Sequence, residues 1–417
     1  MSKVKSVEAH EIKDSRGNPT IEIELETDKG IFKASCPSGA STGKNEALEL
    51  RDKDGRGVSK AIENVNKIIA KKLIGKDPTS QKGLDSLMIE MDGTENKSKL
   101  GANSILPVSM AICRAGAAAG KLSLYKYIEK LADINHGTNF TPFPTPMFNF
   151  IEGGRHTKGR NSLEVQEFMV VTQKKTFQED LILANKVFSN LSEIIKKSYG
   201  EVSMGDEGGF APPISKTEQA ILMLKNAIGK RKDVSIAIDA AATQFYKNGK
   251  YVLEEKELSR EQLLEFYIDL VKRFRSADGP SLIDSIEDPF AEEDWEGFKM
   301  MYAKYPFGGH DGIVGDDLTT TNRKRIKKAI NSNCITAVII KPNQIGTVSE
   351  TLDAVKIAFD NAIGVIVSHR SGETMDTFIA DLAVGVKASG FKAGSPSQPE
   401  RMVKYNRILE IEGELKN

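Results

Sequence analysis

From residue 146 to its end the chain repeats one unit: a short apolar run, a loop, then an amphipathic helical stretch. That alternation marks parallel β/α units, because consecutive parallel strands need a long crossover and a helix supplies it. The strand-like runs are PMFNFI at 146–151, VQEFMVV at 165–171, EVSM at 201–204, SIAID at 235–239, SLIDSIE at 281–287, GIVGD at 312–316, TAVIIK at 336–341 and GVIVSH at 364–369. Helices are expected at Glu261–Phe274, Arg323–Ile330, Val348–Phe359 and Thr374–Ala388. Eight units over roughly 270 residues predict an α/β fold of the closed (β/α)8 kind, for which about 250 residues is typical. An open doubly wound sheet is the alternative, but no glycine-rich dinucleotide fingerprint follows any strand.

The first third reads differently. IEIELET at 21–27 alternates as a strand, DKG turns, and IFKAS follows as its partner. Val58–Leu73, Gln81–Glu90 and Asn103–Ala119 carry helical spacing, the last rich in small residues suited to close packing. The reading is a small α+β domain over residues 1–135 and a barrel over 136–417, joined through DINHGTNFTPFPTP. Balanced charge, 58 basic against 58 acidic side chains, offers no field to hold a nucleic-acid backbone. Cys36, Cys113 and Cys334 are too scattered for a disulfide framework or a thiolate zinc site, which suits a reducing cytoplasm. The amino terminus alternates charged and apolar residues, unlike a signal peptide. Ile105–Leu122 is interrupted by Arg114 and Lys121 and reads as a buried helix, so no membrane span is expected.

Ionisable residues recur at the carboxyl ends of the expected strands, where a barrel places its active site: Glu167, Glu207, Asp239, Glu287, Asp316, Lys341, His369 and, further on, Lys392. Singly, each is more simply a helix cap or a partner for a surface lysine. Their common placement argues for a site. Asp239, Glu287 and Asp316 end three strands consecutive in the chain, and their mutual repulsion is relieved either by a hard divalent cation, magnesium by the all-oxygen donor set, or by pairing with Lys341 or Arg370. Lys341 ends an apolar run; burial and a neighbouring Lys392 would lower its pKa toward that of a useful base. A lysine base beside magnesium suits abstraction of a proton next to a carboxylate, with Glu167 or Glu207 as the opposing acid.

Two segments look built for anions or closure. HRSGET at 369–374 offers Arg370, the Ser371 hydroxyl and backbone amides, expected at a helix start. PSGASTGKNEA at 37–47 is a small-residue loop fit to act as a lid. Its G-x-S-x-G pattern around Ser41 is no nucleophile elbow, since no acid and histidine follow in a hydrolase-like order. His10, His136 and His310 are isolated and read as surface or capping residues.

Taken together, DSRGNPT at 14–20, PSGASTG at 37–43, ENKSKLGAN at 95–103, QEF at 166–168, GDEGG at 205–209, SIEDPF at 285–290, GDDLTTTN at 315–322, KPNQIGT at 341–347 and SHRSGETMDTFIADL at 368–382 closely resemble enolase, the glycolytic phosphopyruvate hydratase, over nearly the whole chain. KPNQIGT is similar to the archaeal type. The resemblance implies reversible dehydration of 2-phosphoglycerate to phosphoenolpyruvate. It implies Lys341 as base at carbon 2 and Glu207 as acid at the departing hydroxyl, supported by Glu167. Asp239, Glu287 and Asp316 would hold one magnesium and Ser41 help hold a second; Arg370 and Ser371 would grip phosphate, Lys392 and Gln166 the carboxylate, His156 and His369 the outer edge. The pairing of a lysine base with magnesium is itself a documented feature of such sites. An early antiparallel barrel strand and a homodimer or higher symmetric homo-oligomer are implied as well.

The chain departs from the family pattern in two places. Glu152 stands where asparagine is usual, with two extra residues between His156 and Gln166; Thr243 and Gln244 replace the usual serine and glutamate. A noncatalytic binding or structural protein on the same fold is the competing reading, and it would be marked by loss of Lys341, Glu207 or a metal carboxylate. All are present.

Overall fold

A computed structural model describes residues 2–40, 43–134, 143–157, 159, 162–275, 281–304 and 312–416. The amino-terminal region opens with three antiparallel strands, β1 (Val4–Lys13), β2 (Pro19–Thr27) and β3 (Gly30–Ser35). Ile21, Ile23 and Leu25 are fully buried between glutamates that face outward, so period-two patterning sets which side of the sheet meets the core. The Ala102–Ala119 helix lies across that face, and the chain continues into the Leu124–Ala132 helix. Gly116 makes this packing possible: a Cβ there would stand 2.5 Å from the Tyr127 hydroxyl. The helix is almost wholly buried, as its small residues predicted. No single helix among the described residues is long and apolar enough to cross a membrane.

Eight strands close the barrel: β4 (Thr145–Glu152), β5 (Glu167–Thr172), β6 (Val234–Asp239), and, after a small outer sheet of β7 (Tyr246–Lys247), β8 (Lys250–Leu253) and β9 (Lys256–Leu258), β10 (Ile283–Glu287), β11 (Ile313–Gly315), β12 (Ala337–Ile340), β13 (Gly364–Ser368) and β14 (Gly390–Lys392). Alternate side chains turn inward, where Met147, Met169, Val171, Ala237, Val314, Ala337, Ile339 and Ile366 fill the lumen; their neighbours Phe148, Val170, Ile238, Val338 and Val367 face the helical shell. Each such buried aliphatic contributes about 1.5–3 kcal/mol of hydrophobic free energy.

The strand count matches expectation, but two members differ. EVSM at 201–204 forms only an isolated bridge from Met204 to Phe210, because glycines at 200 and 205 and a polar residue at 203 leave too little apolar surface to pair. Its place is taken by Gly390–Lys392, three residues too short to show a period. β5 runs antiparallel to both β4 and β6, so the barrel is not uniformly parallel. The Val348–Phe359 helix falls as expected, and Arg260–Arg273 and Arg323–Asn331 within a residue of expectation. The helix expected at Thr374–Ala388 spans only Phe378–Gly385, since Asp376 accepts the Phe378 amide at 2.7 Å and starts it late. HRSGET therefore opens no helix; Gly372 instead bridges to Ser38 of the amino-terminal domain.

Candidate active site

Ten of the residues singled out from sequence line one pocket at the carboxyl ends of the strands: His156, Gln166, Glu167, Glu207, Asp239, Lys341, His369, Arg370, Ser371 and Lys392. Glu287 and Asp316 sit directly beneath, on β10 and after β11, each in contact with a lining lysine. Ser41 lies outside the described residues, as do His136 and His310.

One side of the pocket is acidic and cationic. Lys392, ending β14, is buried and reaches Glu167 at 2.9 Å, Glu287 at 3.0 Å and Asp239 at 3.6 Å. Burial alone would strip its proton, but the three carboxylates outweigh burial and hold it well above the usual range. Lys341 donates to Asp316, whose other oxygen accepts from Gln344 at 2.9 Å. Burial opposes charge on Asp316 yet the Lys341 ammonium wins, lowering its carboxyl; Glu287 is pushed well up by burial and then by Asp239. The expectation that Lys341 has a depressed pKa is not met: burial, Arg370 and Lys392 pull it down, but Asp316 overrides them and raises it.

Asp239, Glu287 and Asp316 end adjacent strands, and two ammonium groups face the three carboxylates. That shortfall of positive charge and the all-oxygen donor set fit a hard divalent cation. The acids drawn most closely together there are Asp288, Asp316 and Asp317, with ligand atoms within 4.8 Å of one another. Asp288 is occupied as a loop clamp, accepting the amides of Asp316 at 3.1 Å and Asp317 at 2.6 Å and so fixing how Asp316 is presented.

The other side holds imidazoles among carboxyls. His156, Glu167 and Glu207 offer ligand atoms within 4.8 Å of one another. His369 Nε2 lies 3.1 Å from Glu207, and its Nδ1 faces Arg401 Nη1 at 2.7 Å. Arginine only donates, so Nδ1 must accept and the ring proton belongs on Nε2, pointing at Glu207. Burial pushes His369 down to about 4 and also lowers His156, so both rings favour the neutral form. Burial disfavours charge on Glu207 too, but the two histidines outweigh it and pull its carboxyl low. Glu167 is pushed up to about 8, by burial first and by Glu207 second.

The HRSGET segment is held by the amino-terminal domain. Arg370, fully buried, donates to Glu46 at 2.8 Å and to the Asn343 side chain at 2.8 Å, while the Ser371 hydroxyl accepts the Ala40 amide at 2.7 Å. Gln166 donates to Asp239 at 3.2 Å and accepts from Gln244. Gln244 is one of the departures from the family pattern, and an amide there can donate where a carboxylate could not, which fixes which end of the Gln166 amide faces Asp239.

Several residues at this site carried no sequence signal. Arg401, wholly buried, reaches back from the last helix; Asn149 donates to Glu207 at 3.1 Å; Glu46 neutralises Arg370. Glu152 stood out only as a departure from pattern, yet its side chain is completely buried against Glu207.

The fold and pocket define a two-domain β/α-barrel protein whose ionisable groups converge at the carboxyl face. Residues 4–128 match the family described as "Enolase, N-terminal domain" and residues 141–417 that described as "Enolase, C-terminal TIM barrel domain". Among curated proteins the chain is 48% identical to the enolase of Thermococcus gammatolerans and 46% identical to that of Methanocaldococcus jannaschii, each alignment covering 99% of this chain and 95% of the relative. The chain belongs to the enolase family.

Proposed function

We propose that the protein is a working phosphopyruvate hydratase, a lyase that interconverts 2-phospho-D-glycerate with phosphoenolpyruvate and water in glycolysis and gluconeogenesis. The observation that carries this reading is 48% identity to an enolase across 99% of the chain, with Lys341 and Glu207 lining the same pocket. Arg370 and Ser371 would bind the phosphate, Lys392 and Gln166 the carboxylate, and His156 and His369 would close the outer edge. Lys341 would take the proton from carbon 2. The carbon 3–oxygen bond would then break as the departing hydroxyl receives a proton from the Glu207 and Glu167 pair and leaves as water.

Asp239, Glu287 and Asp316 would hold one magnesium and Ser41 would help hold a second. The ions supply positive charge against the substrate carboxylate as negative charge builds on it. With both Asp316 and Glu287 turned to that task, what remains around Lys341 is burial, Arg370 and Lys392, each of which lowers its pKa toward that of a base. The domain division at about residue 135, a cytoplasmic setting and a symmetric homo-oligomer belong to the same reading. Intact acid, base and metal carboxylates weigh against a noncatalytic relative.

The direct test is the rise in ultraviolet absorbance as purified protein converts 2-phosphoglycerate in magnesium, with a chelator control. Turnover abolished by the chelator is expected. A folded protein that binds magnesium without turnover would transfer belief to the noncatalytic reading.

A further inference from the structure

Glu152 ends β4 with its side chain fully buried, and the loop at 205–209 is folded around its carboxyl. One oxygen accepts the Gly209 amide at 2.6 Å, and both lie 3.2 Å from the Glu207 amide nitrogen. A Cβ on Gly205 would stand 2.2 Å from the Glu152 carboxyl and one on Gly209 3.0 Å from it, so the two glycines of this loop that touch Glu152 are those whose missing side chains admit it. Backbone bonds from Gly205 to Gly209 at 2.8 Å and from Asp206 to His156 at 3.0 Å complete the wrap. A buried carboxyl receiving backbone amides is a strong clamp, since each such bond is charge-assisted when the acid is ionised and still satisfied when it is not.

What the clamp holds is the backbone from which Glu207 projects. Glu207 reaches His369 at 3.1 Å and Asn149 at 3.1 Å only from this loop position. None of the clamp bonds touches Lys341 or Lys392. The chain has therefore tied one of the two reacting sides to a residue of its own and left the other independent of it. We propose that Glu152 is a positioning residue for the water-forming half of the reaction, setting where the Glu207 carboxyl stands without influencing proton removal at carbon 2. This rests on the reading of Glu207 as the acid given above.

The two halves can be timed separately in heavy water. Lys341, having taken the carbon 2 proton, can return a deuteron, which labels the remaining 2-phosphoglycerate; loss of water yields phosphoenolpyruvate. The ratio of label incorporated to product formed, read by proton NMR in one sample, is independent of how much of a variant is folded. Glu152→Ala removes every acceptor of the clamp. It should raise that ratio about 10-fold or more, since misplacement of a catalytic group by about 1 Å can cost about 100-fold, while KM stays within about threefold. Glu152→Gln, whose amide oxygen can still accept both amides, should give a smaller rise than Glu152→Ala, and Glu207→Gln serves as the reference.

An unchanged ratio in both Glu152 variants, whether or not the overall rate falls, would overturn the proposal provided Glu207→Gln raises it. If Glu207→Gln itself leaves the ratio unchanged, the acid assignment fails and the proposal falls with it.

Discussion

The two sides of the pocket bury carboxyl groups equally deeply and deal with them in opposite ways. On one, Asp239, Glu287 and Asp316 face the full charges of Lys341 and Lys392. On the other, Glu152 and Glu207 face imidazoles that burial keeps mostly neutral, together with backbone amides, and Glu167 stands at the boundary, beside His156 and Glu207 but also 2.9 Å from Lys392. The Lys341 ammonium holds the Asp316 carboxyl low and so keeps it available to a cation, while Glu287 beside Lys392 is still pushed up by burial. Burial and the neighbouring Glu207 push Glu167 up to about 8 even against the pull of Lys392, while the two histidines hold the Glu207 carboxyl low. The difference teaches that acids of the same residue types at similar depth are set apart by their partners, which is what the proposed division between metal-holding and proton-handling acids requires.

The largest break in that comparison should come from Lys341→Ala. Loss of a general base lowers turnover by about 100- to 10,000-fold, and the upper end is expected here because the neighbouring Lys392 is held protonated by three carboxylates and is no substitute base. The same change leaves Asp316 buried with Gln344 but without its ammonium. Removing one partner of a buried pair costs about 3–5 kcal/mol, so the melting temperature in chelator should fall and magnesium should recover part of the loss. A variant that melts normally in chelator, or turns over near normally, would dissolve the distinction between the two sides. Next in size is Glu287→Gln. Even indirect partners of a metal ligand are worth about 10- to 100-fold in affinity, so losing a direct one should weaken magnesium dependence by at least about 100-fold, measured by metal titration of the rate. The Glu207→Gln variant should leave that titration unchanged.

Much of this contrast was legible before any fold was known, because strand-ending ionisable residues keep their meaning once a barrel is inferred. Lys341, Asp316 and His369 were found that way. What escaped had physical reasons. Gly390–Lys392 is too short for periodicity, and EVSM looked like a strand although its flanking glycines favour a turn. The antiparallel run of β5 was expected, but only from the family resemblance, since local patterning does not encode how the chain returns from β4. Arg401 sits amid the charged residues of a terminal helix, where an arginine that buries itself completely looks like any solvated one. The direction of the Lys341 shift was missed for a related reason: sequence placed a second lysine nearby but could not say that Asp316 would stand closer.

The smallest expected effect sharpens the comparison most finely, because it concerns one proton. Glu167 carries its proton below about 8, a carboxyl raised by burial and by Glu207. If that proton supports water loss, activity should decline as pH rises through about 8, and Glu167→Gln, neutral at every pH, should lose about 10-fold in rate but show no decline in that window. Stability should follow the same sign. Between the ordinary glutamate range near 4.5 and about 8 the native state binds a proton that the unfolded chain has released, so stability drops as pH rises across that interval. Without metal, Glu167→Gln should therefore gain on the parent as pH goes from 5 to 9, read from paired thermal melts. A parent and variant whose melting curves move in parallel would place Glu167 with the fixed charges of the lysine side, to which Lys392 at 2.9 Å already tethers it, and the boundary between the two sides would then run between Glu167 and Glu207.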